Sequence, residues 1–298
     1  MRVIITPAEM ASLRQEWLKE NSAAKLALVP TMGALHEGHG ALCKLAKIKA
    51  ERVIVSIFVN PLQFGANEDL DRYPRPKDAD LAQCEVWGMD AVYYPAATTM
   101  YPNGMEQVTR VIPPESLTNQ LCGAARPGHF TGVATVVLLL MNQVRPDIAV
   151  FGEKDAQQVM VIRRMVQDLA VPVELLIHPV VREKSGLAMS SRNRYLKTPE
   201  QKEASLLLSK ILLSVKEIVK SSTGSFLPTK LTLDSTADKL VEEWRSQNNS
   251  GTIPHWRLQY LEARNEQSLQ ATDSLKPGTR LFIAAYVDDV RLIDTLLI

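Results

Sequence analysis

The ten residues Pro30-Thr31-Met32-Gly33-Ala34-Leu35-His36-Glu37-Gly38-His39 contain a complete structural transition. They follow an apolar run, residues 26–29, and lead into a helix-compatible run, 41–50. A strand, a Gly-containing turn and a helix start are thus crossed within about twenty residues. Helix N-termini expose N–H groups and the positive end of the helix dipole, and so bind phosphate. Two imidazoles, His36 and His39, stand at this helix start. They add donors for a polyphosphate where no Walker-type lysine is present. The turn reads as nucleotide chemistry.

Outward from that turn, the chain up to about residue 180 repeats one pattern. Strand-like runs at 26–29, 53–59, 91–94, 148–151 and 173–177 are nearly continuous in apolar residues, as expected of strands covered on both faces. Helix-like segments at 40–50, 78–87, 133–144 and 155–169 lie between them. The alternation predicts parallel strands joined by right-handed crossovers, an α/β Rossmann-like doubly wound sheet. Ligands of such sheets sit outside the carboxyl ends of the strands. Segments 30–39, 60–65, 152–155 and 181–194 each follow a predicted strand.

Beyond Lys197 the texture changes. Thr198-Pro199-Glu200 opens a helix running to about residue 220, and 221–229 is a Ser-, Thr-, Gly- and Pro-containing loop. A second helix, 235–247, ends in Asn248-Asn249-Ser250-Gly251. Strands follow at 256–263, 281–287 and 290–298. The expected division is a Rossmann-like domain, 1–184, and a smaller C-terminal α+β domain, 185–298.

Composition narrows the class. Of 298 residues, 46% are hydrophobic and 22% charged, ordinary for a globular chain. A net charge of +1, from 34 basic and 33 acidic residues, argues against a nucleic-acid partner, whose binders usually carry a basic surplus. Cys43, Cys84 and Cys122 form no C-x-x-C pair, so neither a disulfide framework nor a zinc ribbon is expected. Residues 1–10 lack the apolar core of a secretory leader, and the most apolar stretch, 133–141, is too short to span a bilayer. A cytoplasmic protein is expected.

Taken singly, the chemistry-bearing segments each keep a plainer reading. His36 and His39 suit a solvated helix start or a metal pair, with His129 and His178 as further imidazoles, but the zinc-protease pattern His-Glu-x-x-His is absent. Glu153 and Asp155 either cap a helix or flank Lys154 as it reaches a phosphate. Ala188-Met189-Ser190-Ser191-Arg192-Asn193 is either a surface turn or a mobile phosphate clamp of two hydroxyls and a guanidinium. Asn60 and Gln63, in Phe58-Val59-Asn60-Pro61-Leu62-Gln63-Phe64-Gly65, suit a small hydroxylated ligand or simply an Asn-Pro turn. Arg126, in Arg126-Pro127-Gly128-His129-Phe130, is a cation suited to a carboxylate or part of a helix-leading loop.

Together the five segments, in the chain order 30–39, 58–65, 126–133, 151–155 and 189–193, resemble the pantoate–β-alanine ligase family, within the nucleotidylyltransferase superfamily that carries a His-x-Gly-His turn. The resemblance covers essentially the whole chain, most clearly residues 30–193. It implies ATP-dependent joining of pantoate to β-alanine through a pantoyl adenylate, releasing pyrophosphate and then AMP. His39 would be the catalytic histidine with His36 beside it, and Lys154, Ser190, Ser191 and Arg192 would hold phosphates, Lys154 and Arg192 also acting in catalysis. Met32, Gly33, Ala34, Leu35, Glu37, Gly38, Gly152, Glu153, Asp155, Val181 and Met189 would complete the ATP site. Gln63 and Gln158 would bind pantoate, with Asn60, Arg126 and His129 lining that region. Mg²⁺ carried by ATP and a homodimer are implied as well. The first domain would then hold ATP and pantoate. Gly40 stands where the family commonly has Leu, and Ala79 interrupts an acidic stretch, Asp78 and Asp80, near the expected metal; the resemblance therefore assigns no protein ligand to Mg²⁺.

Two other classes share part of the pattern. Other nucleotidylyltransferases and class I aminoacyl-tRNA synthetases have the histidine turn and a basic loop, but not the 60–65 and 126–133 segments, and near-zero charge disfavours tRNA. A silent nucleotide-binding scaffold would not need both histidines, Lys154 and Arg192.

Overall fold

A computed structural model describes residues 1–66, 68–222, 226–248 and 253–298. The chain separates into two units: residues 1–153 with 157–179, and residues 154–156 with 180–298.

In the first unit, β1 (Arg2–Ile4), β2 (Leu26–Thr31), β3 (Arg52–Ile57), β4 (Ala91–Tyr93), β5 (Ile148–Gly152) and β6 (Glu174–His178) form one sheet. Its order is β1-β4-β3-β2-β5-β6 and every pairing is parallel. The expected Rossmann-like doubly wound α/β fold is present. Leu26, Ala27, Leu28 and Val29 of β2 and Val53, Ile54 and Val55 of β3 are all buried, because helices cover both faces. The chain runs outward from β2 through β3 to β4, then returns to place β5 on the other side of β2. That reversal creates a topological switch point at the carboxyl ends of β2 and β5.

The helices are α1 (Pro7–Glu20), α2 (Glu37–Lys49), α3 (Lys77–Val86), α4 (Ala97–Met100), α5 (Glu115–Thr118), α6 (Leu121–Ala125), α7 (His129–Val144) and α8 (Ala156–Asp168). α1 and β1 lie outside the pattern drawn from the sequence, although α1 has a Thr6/Glu9 capping box, Pro7 in its first turn and a buried stripe of Met10, Leu13 and Trp17. β3 ends at Ile57 rather than at 59, since the Asn60-Pro61 turn begins there and Pro61 has no N–H for a ladder.

The second unit holds α9 (Pro199–Ser205), α10 (Leu207–Ser221), α11 (Thr229–Gln247) and the antiparallel sheet β7 (Trp256–Asn265), β8 (Thr279–Val287), β9 (Val290–Leu297). Leu207, Leu208, Ile211, Leu212 and Val215 of α10 share one core with Leu281, Ile283 and Ala285 of β8. The single helix expected over 198–220 is two helices meeting at Leu206. α11 starts at Thr229, well before the expected 235, because Leu233 extends the buried stripe of Ala237, Val241 and Trp244 by a turn. Parts of the expected 221–229 loop and of Asn248–Gly251, namely 223–225 and 249–251, lie outside the described residues.

All three cysteines are free and buried, and burial pushes the Cys43 and Cys84 thiols up to about 12, so neither is a thiolate near neutral pH. Among the described residues, no helix is long and apolar enough to cross a membrane.

Candidate active site

The 30–39 turn is built from β2 outward. The Thr31 hydroxyl donates to the Ser56 carbonyl at 2.8 Å and accepts the Gly33 N–H at 3.2 Å. Gly33 and Ala34 then take successive left-handed conformations, φ +80° and +51°. A Cβ on Gly33 would lie 2.8 Å from an Asp80 oxygen, so only glycine fits. Asp80, on the first turn of α3, accepts the Ala34 and Leu35 N–H groups, both at 2.8 Å, one on each carboxylate oxygen. A buried carboxylate therefore sets the course of the backbone into the helix.

That helix is capped by the two histidines. His36 is the N-cap of α2, its Nδ1 accepting the Gly38 N–H at 3.1 Å, while His39 Nδ1 accepts the His36 N–H at 3.3 Å. The spacing is that of a Ser-x-x-Glu capping box with imidazoles in both places. Because each Nδ1 accepts, the ring proton of each neutral imidazole sits on Nε2, making Nε2–H the donor. The rings lie 4.1 Å apart, centroid to centroid. The sequence carried this capping signal in its His-x-x-His spacing, though not the tautomer.

Next to the turn, a polar cluster converges on Gln63. Asn60 is 1% exposed and uses its whole hydrogen-bonding capacity. Its Oδ1 accepts from Leu62 N–H (3.2 Å) and from the Tyr101 hydroxyl (2.6 Å); its Nδ2 donates to Gln63 Oε1 and to the Gly132 carbonyl, both at 3.1 Å. Gln63 Nε2 lies 3.0 Å from the Met32 sulfur. The Gln63 carbonyl accepts from Arg126 (3.1 Å) and from His129 Nδ1 (2.8 Å). Arg126 NH1 meets His129 Nε2 at 3.0 Å; since a guanidinium only donates, Nε2 accepts and the His129 proton is on Nδ1.

The carboxylate that Arg126 recognises belongs to its own chain. Its Nε donates to Glu68 Oε1 at 2.7 Å and its NH2 to Glu68 Oε2. Burial acts to raise the Glu68 carboxyl, but the hydrogen bonds and charge of Arg126 outweigh it and hold the group below the usual carboxylate range. Neither Glu68 nor Tyr101 was singled out in the sequence, because each meets its partner only through the fold.

Gln157 and Gln158 part company on α8. Gln157 is buried and ties α6 and its lead-in together through Cys122 N–H, Leu117 O and Gln120 O at 2.8–2.9 Å. Gln158 is half-buried, and its side chain takes no hydrogen bond among the described residues. The short 3₁₀ turn Glu153–Asp155 follows β5 directly.

In the second unit, Lys154 is 3.6 Å from Asp155, and Val181 and Met189 close a tight hairpin, Met189 N–H to Val181 O at 2.9 Å. Ser190 caps the 3₁₀ turn Ser191–Tyr195 by accepting the Arg192 N–H at 3.2 Å. The hairpin that leads into this segment is tied to β9. Arg182 grips Asp294 with two bonds, 2.6 and 3.0 Å, and the Gly186 carbonyl with a third, 3.0 Å.

No group of three or more His, Cys, Asp or Glu able to hold a metal occurs among the described residues. His129 is engaged with Gln63 and Arg126, and His178 with the Pro179 carbonyl. Asp80, in the acidic stretch expected near Mg²⁺, has both oxygens on backbone N–H groups.

Comparison with known proteins gives concordant matches. A family model described as pantoate–β-alanine ligase matches residues 2–297. A pantothenate synthetase of Thermoanaerobacter sp. is 45% identical over 276 residues, 93% of this chain and 92% of that protein. The solved pantothenate synthetase of Thermus thermophilus superposes with a TM-score of 0.84 at 39% identity, covering 100% of this chain and 99% of the other. The pantoate–β-alanine ligase of Francisella tularensis, solved as a complex with β-γ ATP and β-alanine, gives 0.75 at 33% identity, covering 100% and 97%.

Proposed function

This chain belongs to the pantoate–β-alanine ligase family, the ATP-dependent ligases of pantothenate biosynthesis, and we propose that it joins pantoate to β-alanine through a pantoyl adenylate. A carboxylate resists attack by an amine, whereas an acyl phosphate anhydride does not. One pantoate carboxylate oxygen attacks the α-phosphorus of ATP, and the bond to the β-phosphate oxygen breaks, releasing pyrophosphate. The amine of β-alanine then attacks the acyl carbon, AMP leaves, and the nitrogen loses a proton.

The observation that carries this reading is the histidine capping box: two imidazoles whose Nδ1 atoms take backbone N–H groups and whose Nε2–H groups are donors at a helix N-terminus. Such preorganised donors stabilise the charge that builds on the α-phosphate and on the leaving pyrophosphate. His39 is the principal catalytic donor and His36 supports it. The backbone of Met32, Gly33, Ala34 and Leu35, with Glu37 and Gly38, frames the nucleotide, as do Gly152, Glu153, Asp155, Val181 and Met189. Lys154, Ser190, Ser191 and Arg192 hold the phosphates.

Gln63 and Gln158 take pantoate. Asn60, Arg126 and His129 serve the same substrate by fixing Gln63. Mg²⁺ brought in with ATP would supply charge shielding at its phosphates. The ion would be held chiefly by phosphate and water rather than by a protein cage. We place the enzyme in the cytoplasm as a homodimer.

The test is ATP–pyrophosphate exchange with pantoate present and β-alanine absent. Pantoate-dependent exchange supports the adenylate. Absence of exchange in folded, Mg²⁺-supplied protein that still forms pantothenate rules the adenylate out.

A further inference from the structure

A primary amide presents two faces, a donor NH₂ and an acceptor oxygen, and a substrate site needs one of them held toward the ligand. In Gln63 that choice is made by neighbours. The Leu62 N–H can only donate and the Gly132 carbonyl can only accept, so the Asn60 amide has one orientation. Its Nδ2 therefore faces Gln63 Oε1 and occupies it, leaving Nε2 against the Met32 sulfur. A thioether is a weak acceptor, readily exchanged for a substrate oxygen. Gln63 is thus set as a donor.

The shortest contact on Asn60 is the 2.6 Å bond from the Tyr101 hydroxyl. Tyr101 is 3% exposed, and burial pushes its phenol well above the usual tyrosine range, so the hydroxyl keeps its proton throughout the working pH range. Its ring is held separately, edge-on to Phe58 with centroids 6.0 Å apart.

We infer that Tyr101 is a positioning residue for pantoate: through Asn60 it holds the Gln63 amide with its nitrogen as the group offered to a carboxylate or hydroxyl oxygen. The inference rests on the assignment of Gln63 to pantoate. Tyr101 touches no substrate. It polarises and anchors the Asn60 amide, whose orientation the Leu62 N–H and Gly132 carbonyl set and which in turn orients the Gln63 amide that does.

The experiment is a double-mutant cycle of Tyr101→Phe and Gln63→Ala, measured as KM for pantoate and for ATP in the full chain. Phenylalanine keeps the ring and its contact with Phe58 and removes only the hydroxyl. Loss of one such hydrogen bond raises the pantoate KM about 5-fold while the ATP KM moves less than about 2-fold. In the Gln63→Ala background, Tyr101→Phe has no further effect on the pantoate KM.

An equal effect in both backgrounds, as general misfolding would give, overturns the proposal, and so does no effect at all. If Gln63→Ala itself leaves the pantoate KM unchanged, the assignment of Gln63 falls and this proposal falls with it. A second readout does not depend on turnover. The side-chain amide resonances of Gln63 shift in Tyr101→Phe if the relay exists, and unchanged resonances overturn it.

Discussion

Both oxygens of Asp80 are engaged by backbone N–H groups 45 and 46 residues away in sequence, and nothing else so directly sets the path of the 30–39 turn. Asparagine at this position keeps one acceptor and turns an NH₂ toward the second N–H. Asp80→Asn is therefore expected to cost about 2–4 kcal/mol in urea unfolding, from one lost charge-assisted bond and one opposed donor. It should slow adenylation as well, because Ala34 and Leu35 lead directly into His36. His39 behaves differently. Its capping role contributes about 1 kcal/mol, but as a donor to developing charge it should matter for catalysis by about 10²–10³-fold. His39→Ala is thus expected to lose pantoate-dependent exchange with far-UV circular dichroism unchanged. A rate within a few-fold of the parent would remove His39 from the chemistry.

Helix α7 and the 3₁₀ turn Pro61–Gln63 approach so closely that a side chain on Gly132 has no room. A Cβ there would sit 2.2 Å from the Leu62 carbonyl oxygen, and that neighbour is backbone. Gly132→Ala must push the two elements apart, breaking the Gly132 carbonyl bond to Asn60. The expected result is destabilisation of about 1–3 kcal/mol, with a pantoate KM raised more than the ATP KM; equal rises would mean that the displacement is not confined to the Gln63 cluster. Between α2 and the end of α3 a similar close approach occurs at Gly40. The Trp87 ring lies 2.9 Å from where a Cβ on Gly40 would be, so an indole fills the space that a side chain at position 40 would take. Gly40→Leu alone should lower the melting temperature. Gly40→Leu with Trp87→Ala should recover part of the loss, and strict additivity of the two changes would show that they do not share that space.

At the scale of the whole chain, Glu68 ties stability to pH. Its carboxyl lies below the ordinary 4.5, so the pair with Arg126 is fully stabilising above that value and is lost as pH falls through the lower, folded-state value. Glu68→Gln should be less stable than the parent near neutral pH, with the gap closing below about pH 4.5 in denaturation curves recorded across pH. A constant gap would mean that the pair does not titrate with folding. Five of the six parallel strands, β2 to β6, were legible because strands covered on both faces are nearly continuous in apolar residues, as 26–29 and 53–57 are. The histidine turn was legible for a related reason, since strand, glycine and helix start are neighbours in the chain and their chemistry is local. α1 was equally local, with its capping box and buried stripe, but it lies outside the alternation from which the sheet was read. What the sequence alone determined was therefore the strand–helix alternation from β2 to β6, the family and the residues at those strand ends. Only the tertiary structure decided which of those residues are held by partners distant in the chain. Arg126 meets Glu68 across 58 positions, Tyr101 meets Asn60 across 41, and Asp80 reaches the turn across 46. Such pairings depend on how helices and loops pack around the sheet, and a burial-driven fold leaves no periodic trace of a single polar contact in the chain.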